Sequence, residues 1–124
     1  MKSVNKFFIS HTEWEMIAGA IGYFAEDVFE FDDVDLDEPL RSALSSADAK
    51  LKGMCIPQND GNILPFTALE YVAADYSLHY IQEQHENGDL LEDLVPSSLC
   101  DSNLLSSLIH RLEAVLPDLG VRLV

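Results

Sequence analysis

Apolar residues recur at steps of three and four along most of the chain, and where that period stops, proline, glycine or acidic runs take over. The first periodic stretch follows Ser10-His11-Thr12-Glu13, which has the S-x-x-E form of a capping box. Trp14, Ile17, Ile21, Phe24 and Val28 then fall on one helical face, predicting a helix from about residue 11 to about 29. Gly19 and Gly22 interrupt it at a cost of about 1 kcal/mol each against alanine in an exposed helix. The close approach of a neighbouring helix is the expected reason for both.

A second helix is predicted over about 39 to 52. Pro39 stands near its start, Asp37 and Glu38 complement the dipole, Leu40, Ala43, Leu44, Ala47 and Leu51 form its apolar face, and Gly53 stops it. Between residues 53 and 66, Asn59-Asp60-Gly61-Asn62 is a turn signal between short apolar runs, compatible with a small hairpin or an ordered loop. From Phe66 to Asn87 the chain is apolar on several sides, with Leu69, Val72, Ala73, Tyr76 and Tyr80 on one face and Tyr71, Ala74, Leu78 and Ile81 on others. That breadth marks a central helix, ended by Gly88. A short helical turn over 89 to 95 stops at Pro96. The last helix starts at Asp101 or Ser102 and carries Leu104, Leu105, Leu108, Ile109, Leu112, Val115 and Leu116 before Pro117. Residues 4 to 9 and 120 to 124 are β-prone and are candidates to pair as edge strands. The expected fold is mainly α: a single-domain helical bundle over residues 1 to 124, with four long helices, a short one, and at most a minor hairpin or edge-strand pair.

With 124 residues and 48% hydrophobic, the chain suits one core. Charge changes the picture more. Seven Lys and Arg stand against 22 Asp and Glu, for a net −15 and an isoelectric point near 4.2. Phosphate backbones demand a basic footprint, so nucleic acid is not an expected partner, and an anionic membrane surface would repel the chain. No run reaches the roughly eighteen apolar residues needed to span a bilayer, and the N-terminus lacks a secretory h-region and cleavage site. A cytoplasmic protein is expected. Cys55 and Cys100 have no C-x-x-C spacing and read as buried, reduced thiols, with a single disulfide as the alternative.

The acids are not spread evenly. In AEDVFEFDDVDLDE, eight of the thirteen positions from Glu26 to Glu38 are acidic. Asp33, Asp35 and Asp37 have the spacing of a calcium loop, but that loop needs glycine at its sixth position and glutamate at its twelfth, where Glu38 and Leu44 stand. No metal or cofactor is expected there. Asp75, His79 and Glu83 follow one another at helical i, i+4, i+8 spacing, which could hold a metal only if another element supplied a further ligand. An exposed, helix-stabilising Asp/His pair is the preferred expectation. Glu70, beside Tyr71, is the best candidate for a semi-buried acid, against the default of a solvated face residue. His11 sits in the capping segment and His110 on the last helix. No nucleophile elbow, cysteine-histidine signature or phosphate loop occurs, so no catalytic residue is assigned and the chain is expected to be non-enzymatic.

An interaction role needs a field to steer a partner and apolar anchors to hold it. The segment from Glu26 supplies both: Glu26, Asp27, Glu30, Asp32, Asp33, Asp35, Asp37 and Glu38 as the field, with Phe29 and Phe31, and Leu36 beside them, as anchors or as closure of the core. A second acidic face, Glu83, Glu86, Asp89, Glu92 and Asp93, is nearly as dense. A small, acidic, motif-free helical domain with such a segment resembles bacterial toxin-immunity proteins. The resemblance is one of type over the whole chain and carries over no individual residue. It implies a basic partner, a cognate antibacterial toxin such as a nuclease, whose active site or a neighbouring surface is covered. Alternatives are a phage-type DNA mimic, a secretion chaperone, and a small enzyme using Glu70, Asp75 or His79.

Overall fold

Side-chain caps set where the helices begin. The computed structural model describes residues 8–30, 35–54 and 61–116. Ser10 Oγ accepts from the Glu13 N–H at 3.1 Å while the Glu13 carboxylate accepts from the Ser10 N–H at 2.9 Å, so the expected capping box opens helix α1 (His11–Ala25). A second box, Thr67 with Glu70, opens α3 (Ala68–Glu86). Asp101 caps α4 (Ser102–Val115) through the N–H groups of Asn103 and Leu104. Helix α2 (Glu38–Lys52) follows Asp37, with Pro39 in its first turn, where a missing N–H costs nothing.

The expected apolar face of α1 is the buried one: Trp14, Ile17, Ile21, Phe24 and Val28 all lie in the core. Full burial of such a side chain contributes about 1.5–3 kcal/mol. Helix α3 is central, touching α1, α2 and α4. Its buried residues are Tyr71, Val72, Ala73, Ala74, Ser77, Leu78 and Ile81, whereas Leu69 and Tyr76, grouped by periodicity with the inward stripe, are exposed. With neighbours on three sides, no single stripe of α3 dictates which way it faces. From α4, Leu105, Leu108, Ile109 and Leu112 reach the core and Leu104 does not.

The mainly α architecture is completed by short elements. Strand β1 (Phe8–Ile9) pairs antiparallel with β2 (Asn62–Ile63), in the register Phe8 with Ile63 and Ile9 with Asn62. This pair joins the start of the domain to the loop before α3. The sequence-expected strand at 120–124 and most of the expected hairpin (55–60) lie outside the described residues. Between α3 and α4 the chain forms two 3₁₀ turns, Glu92–Leu94 and Ser97–Cys100. Gly19 faces the second: a Cβ there would overlap the Pro96 ring and stand 3.3 Å from Leu99 Cδ1. Its close neighbour is thus this connector and not a long helix. Gly22 meets nothing within 4 Å, so the expected close approach does not occur there. Cys100 is a free, half-buried thiol, and Cys55 lies outside the described residues.

Candidate functional site

Helix α1 does not end where its acids begin. It widens into a π-helical turn, Glu26–Glu30, which keeps Val28 in the core and leaves Glu26, Phe29 and Glu30 exposed. Asp27 is half-buried and accepts a hydrogen bond from the Tyr80 hydroxyl. The Arg41 guanidinium of α2 lies 5.3 Å from the Phe29 ring centre, so one face of that aromatic is already engaged by a cation. Asp35, Asp37 and Glu38 are exposed on the approach to α2, and Leu36 packs against the core, which removes it as an anchor. Phe31, Asp32 and Asp33 lie outside the described residues.

The second acidic face is wholly on the surface: Glu83, Glu86, Asp89, Glu92 and Asp93 are all exposed. Among them, Leu91 and Leu94 are 59% and 62% exposed, the highest values among the large apolar side chains described. An open recess of about 350 Å³ is lined by Leu90, Leu91, Glu92 and Asp93. The sequence marked these acids but not the two leucines.

Two tyrosines tie the acidic stretches together. Tyr23 and Tyr80 have ring centres 6.3 Å apart. The Tyr80 hydroxyl donates to Asp27, and the Tyr23 hydroxyl accepts from the Leu91 N–H at 3.2 Å. Runs separated by more than fifty residues therefore border the same pair of rings. Acids at this place also oppose the helix dipoles. Helix α1 has no basic residue in its last turn and runs directly into Glu26 and Asp27, while Glu83 and Glu86 lie in the last turn of α3, beside His85. Anions at helix C-termini are unfavourable by about 0.3–1 kcal/mol each. A local rule broken repeatedly in one region is the pattern expected of a functional surface.

The remaining sequence candidates lie elsewhere. Glu70 is not a solvated face residue: it is 2% exposed and accepts from Lys50 Nζ at 2.6 Å, Ser46 Oγ at 2.5 Å and the Thr67 N–H at 2.7 Å. Burial alone would raise its pKa, but the hydrogen bonds from Lys50, Ser46 and Thr67 outweigh it and hold the carboxyl below its ordinary value. This is a structural tie between α2 and α3.

Asp75 and His79 are not an exposed pair either. Asp75 is 2% exposed, and His79 Nε2 lies 3.7 Å from Asp75 Oδ1 and 2.5 Å from Oε2 of Glu113 on α4. Burial, reinforced by the Glu113 carboxylate, pushes the Asp75 carboxyl up to about 7. Glu113 moves down, the hydrogen bond to His79 overcoming its own burial. Glu83, the third member of the sequence triplet, stays exposed and outside this group. Glu113 was not singled out by the sequence, since no local pattern joins positions 79 and 113. His11 stands 3.4 Å from Glu15, and His110 is exposed.

Among the described residues, no helix is long and apolar enough to cross a membrane. Compared with known protein families, with curated proteins and with solved structures, the chain matches none.

Proposed function

We propose that this chain is a non-enzymatic acidic binding protein that captures a basic protein and neutralises it, in the manner of an immunity protein acting on a cognate antibacterial toxin. One observation carries the proposal: two acidic runs bordering the Tyr23–Tyr80 pair, with exposed Phe29 on one side and exposed Leu91 and Leu94 on the other. The carboxylates act over roughly a Debye length, about 8–10 Å, to attract and orient a cationic surface. The apolar side chains then exclude water at contact and slow dissociation. The toxin as partner comes from the resemblance in size, charge and absence of catalytic motifs.

Co-expression with the product of the adjacent gene tests the proposal. A stable complex and restored growth are expected if that product is toxic, with affinity falling as salt rises. No complex and no rescue would reject it. Inhibition of several unrelated DNA-binding enzymes, without protection against one toxin, would instead identify a DNA mimic.

A further inference from the structure

Away from the acidic runs, helices α3 and α4 bring together an imidazole and two carboxylates. Asp75 and His79 are one turn apart on α3, and Glu113 is on the last turn of α4. One donor atom from each lies within 4.8 Å of the other two. In a tetrahedral zinc site, bonds of about 2.0–2.1 Å place neighbouring donors about 3.3 Å apart. The observed 2.5 Å and 3.7 Å separations around His79 Nε2 straddle that value, so small side-chain rotations suffice. A separate observation points to a missing ligand: Asp75 Oδ1, on a residue 2% exposed and directed at His79, is a buried atom without a hydrogen-bond partner among the described residues. An orphaned carboxylate oxygen is costly, and two neighbouring carboxylates repel unless a cation stands between them.

We infer that Asp75, His79 and Glu113 form a three-ligand site for a divalent transition-metal ion of the zinc type, bridging α3 and α4. Imidazole with carboxylate favours such an ion over magnesium or calcium, which take more oxygen ligands and waters. Two carboxylates balance its charge. The His79 and Glu113 side chains are 46% and 36% exposed, which leaves the ion a position open to solvent. Asp75 supplies the buried end, giving its unpartnered oxygen a bond. The inference is independent of the partner-binding proposal.

The test is titration of the full-length, chelator-stripped protein with Zn²⁺ in excess Mg²⁺, followed by calorimetry and by the melting temperature. Excess Mg²⁺ occupies the acidic surface without satisfying an imidazole. Saturable one-to-one uptake with a rise in melting temperature is expected, and Co²⁺ substitution should give visible bands of low-coordinate geometry. Asp75→Asn, Glu113→Gln and His79→Ala should each abolish both, whereas Glu83→Gln should not. Asp75→Asn and Glu113→Gln preserve shape, and their metal-free melting curves confirm folding. Uptake that is non-saturable, or unchanged in the folded Asp75→Asn and Glu113→Gln proteins, would overturn the site.

Discussion

Replacing Lys50 with methionine isolates the interaction between α2 and the start of α3. Lys50 Nζ donates to Glu70 Oε1 at 2.6 Å and to the Pro65 carbonyl at 3.0 Å. Methionine keeps the aliphatic stem and removes both bonds, leaving a carboxylate that is 2% exposed without its cation. Breaking a fully buried ion pair costs about 3–5 kcal/mol. Here the lysine side chain is 36% exposed and Glu70 keeps its bonds from Ser46 and Thr67, so the screened expectation is about 1–3 kcal/mol. In a domain of this size that lowers the melting temperature by roughly 4–12 °C.

The pH dependence sharpens the test. In the native protein Glu70 titrates below its ordinary 4.5, so its contribution is complete above that value and is lost as pH falls through the folded pKa. Without Lys50, burial dominates and the folded pKa rises above the unfolded one, so Lys50→Met is penalised most at neutral pH and less under mild acid. Urea unfolding of both proteins at about pH 7.5 and about pH 5.5, above the isoelectric point near 4.2, should show the gap narrowing. Glu70→Gln, which preserves the capping box, should remove most of the Lys50→Met penalty. A Lys50→Met protein as stable as the parent at neutral pH, or an equal loss in the Glu70→Gln background, would refute the assigned pairing.

Two glycines four positions from the acidic turn or nearer should behave oppositely in thermal melts: Gly22→Ala should be neutral or gain up to about 1 kcal/mol, since nothing lies within 4 Å. Gly19→Ala should lose about 1–3 kcal/mol because its methyl overlaps the Pro96 ring, and equal effects would contradict the packing of the 3₁₀ connector. Leu91→Ala with Leu94→Ala should leave unfolding nearly unchanged, since both side chains are mostly exposed, and should speed partner dissociation in surface plasmon resonance. Reversing Glu92 and Asp93 to lysine should mainly slow association and flatten its salt dependence; a reversal without effect would move the interface to the Asp35–Glu38 side.

The helices were legible because their ends and faces are local. Ser10 and Glu13 announce α1, and Gly88 ends the turn after α3 with φ 75°, a conformation glycine adopts without strain. Thr67-Ala68-Leu69-Glu70 has the same T-x-x-E grammar, and weighing it would have placed Glu70 as a capping residue and not as a face residue. What Glu70 meets was not legible, because Lys50 lies twenty positions back and the contact exists only once α2 packs on α3. Glu113 escaped for the same reason, separated by thirty-four positions from His79. The convergence of the acidic runs depends on the Tyr23 and Tyr80 hydroxyls, which no period in the chain reports.

The π-helical turn at Glu26–Glu30 has a further consequence. Its wider spacing holds one residue more than the α-helical turn it replaces, so Val28 stays packed while the chain beyond is rotated relative to α1. Removing a single residue there would let the helix close into regular α geometry and swing whatever follows by about 100°. The orientation of the acidic surface is thus set by residue count and not only by residue identity, so related chains could re-aim it through one-residue insertions or deletions while the core kept every side chain.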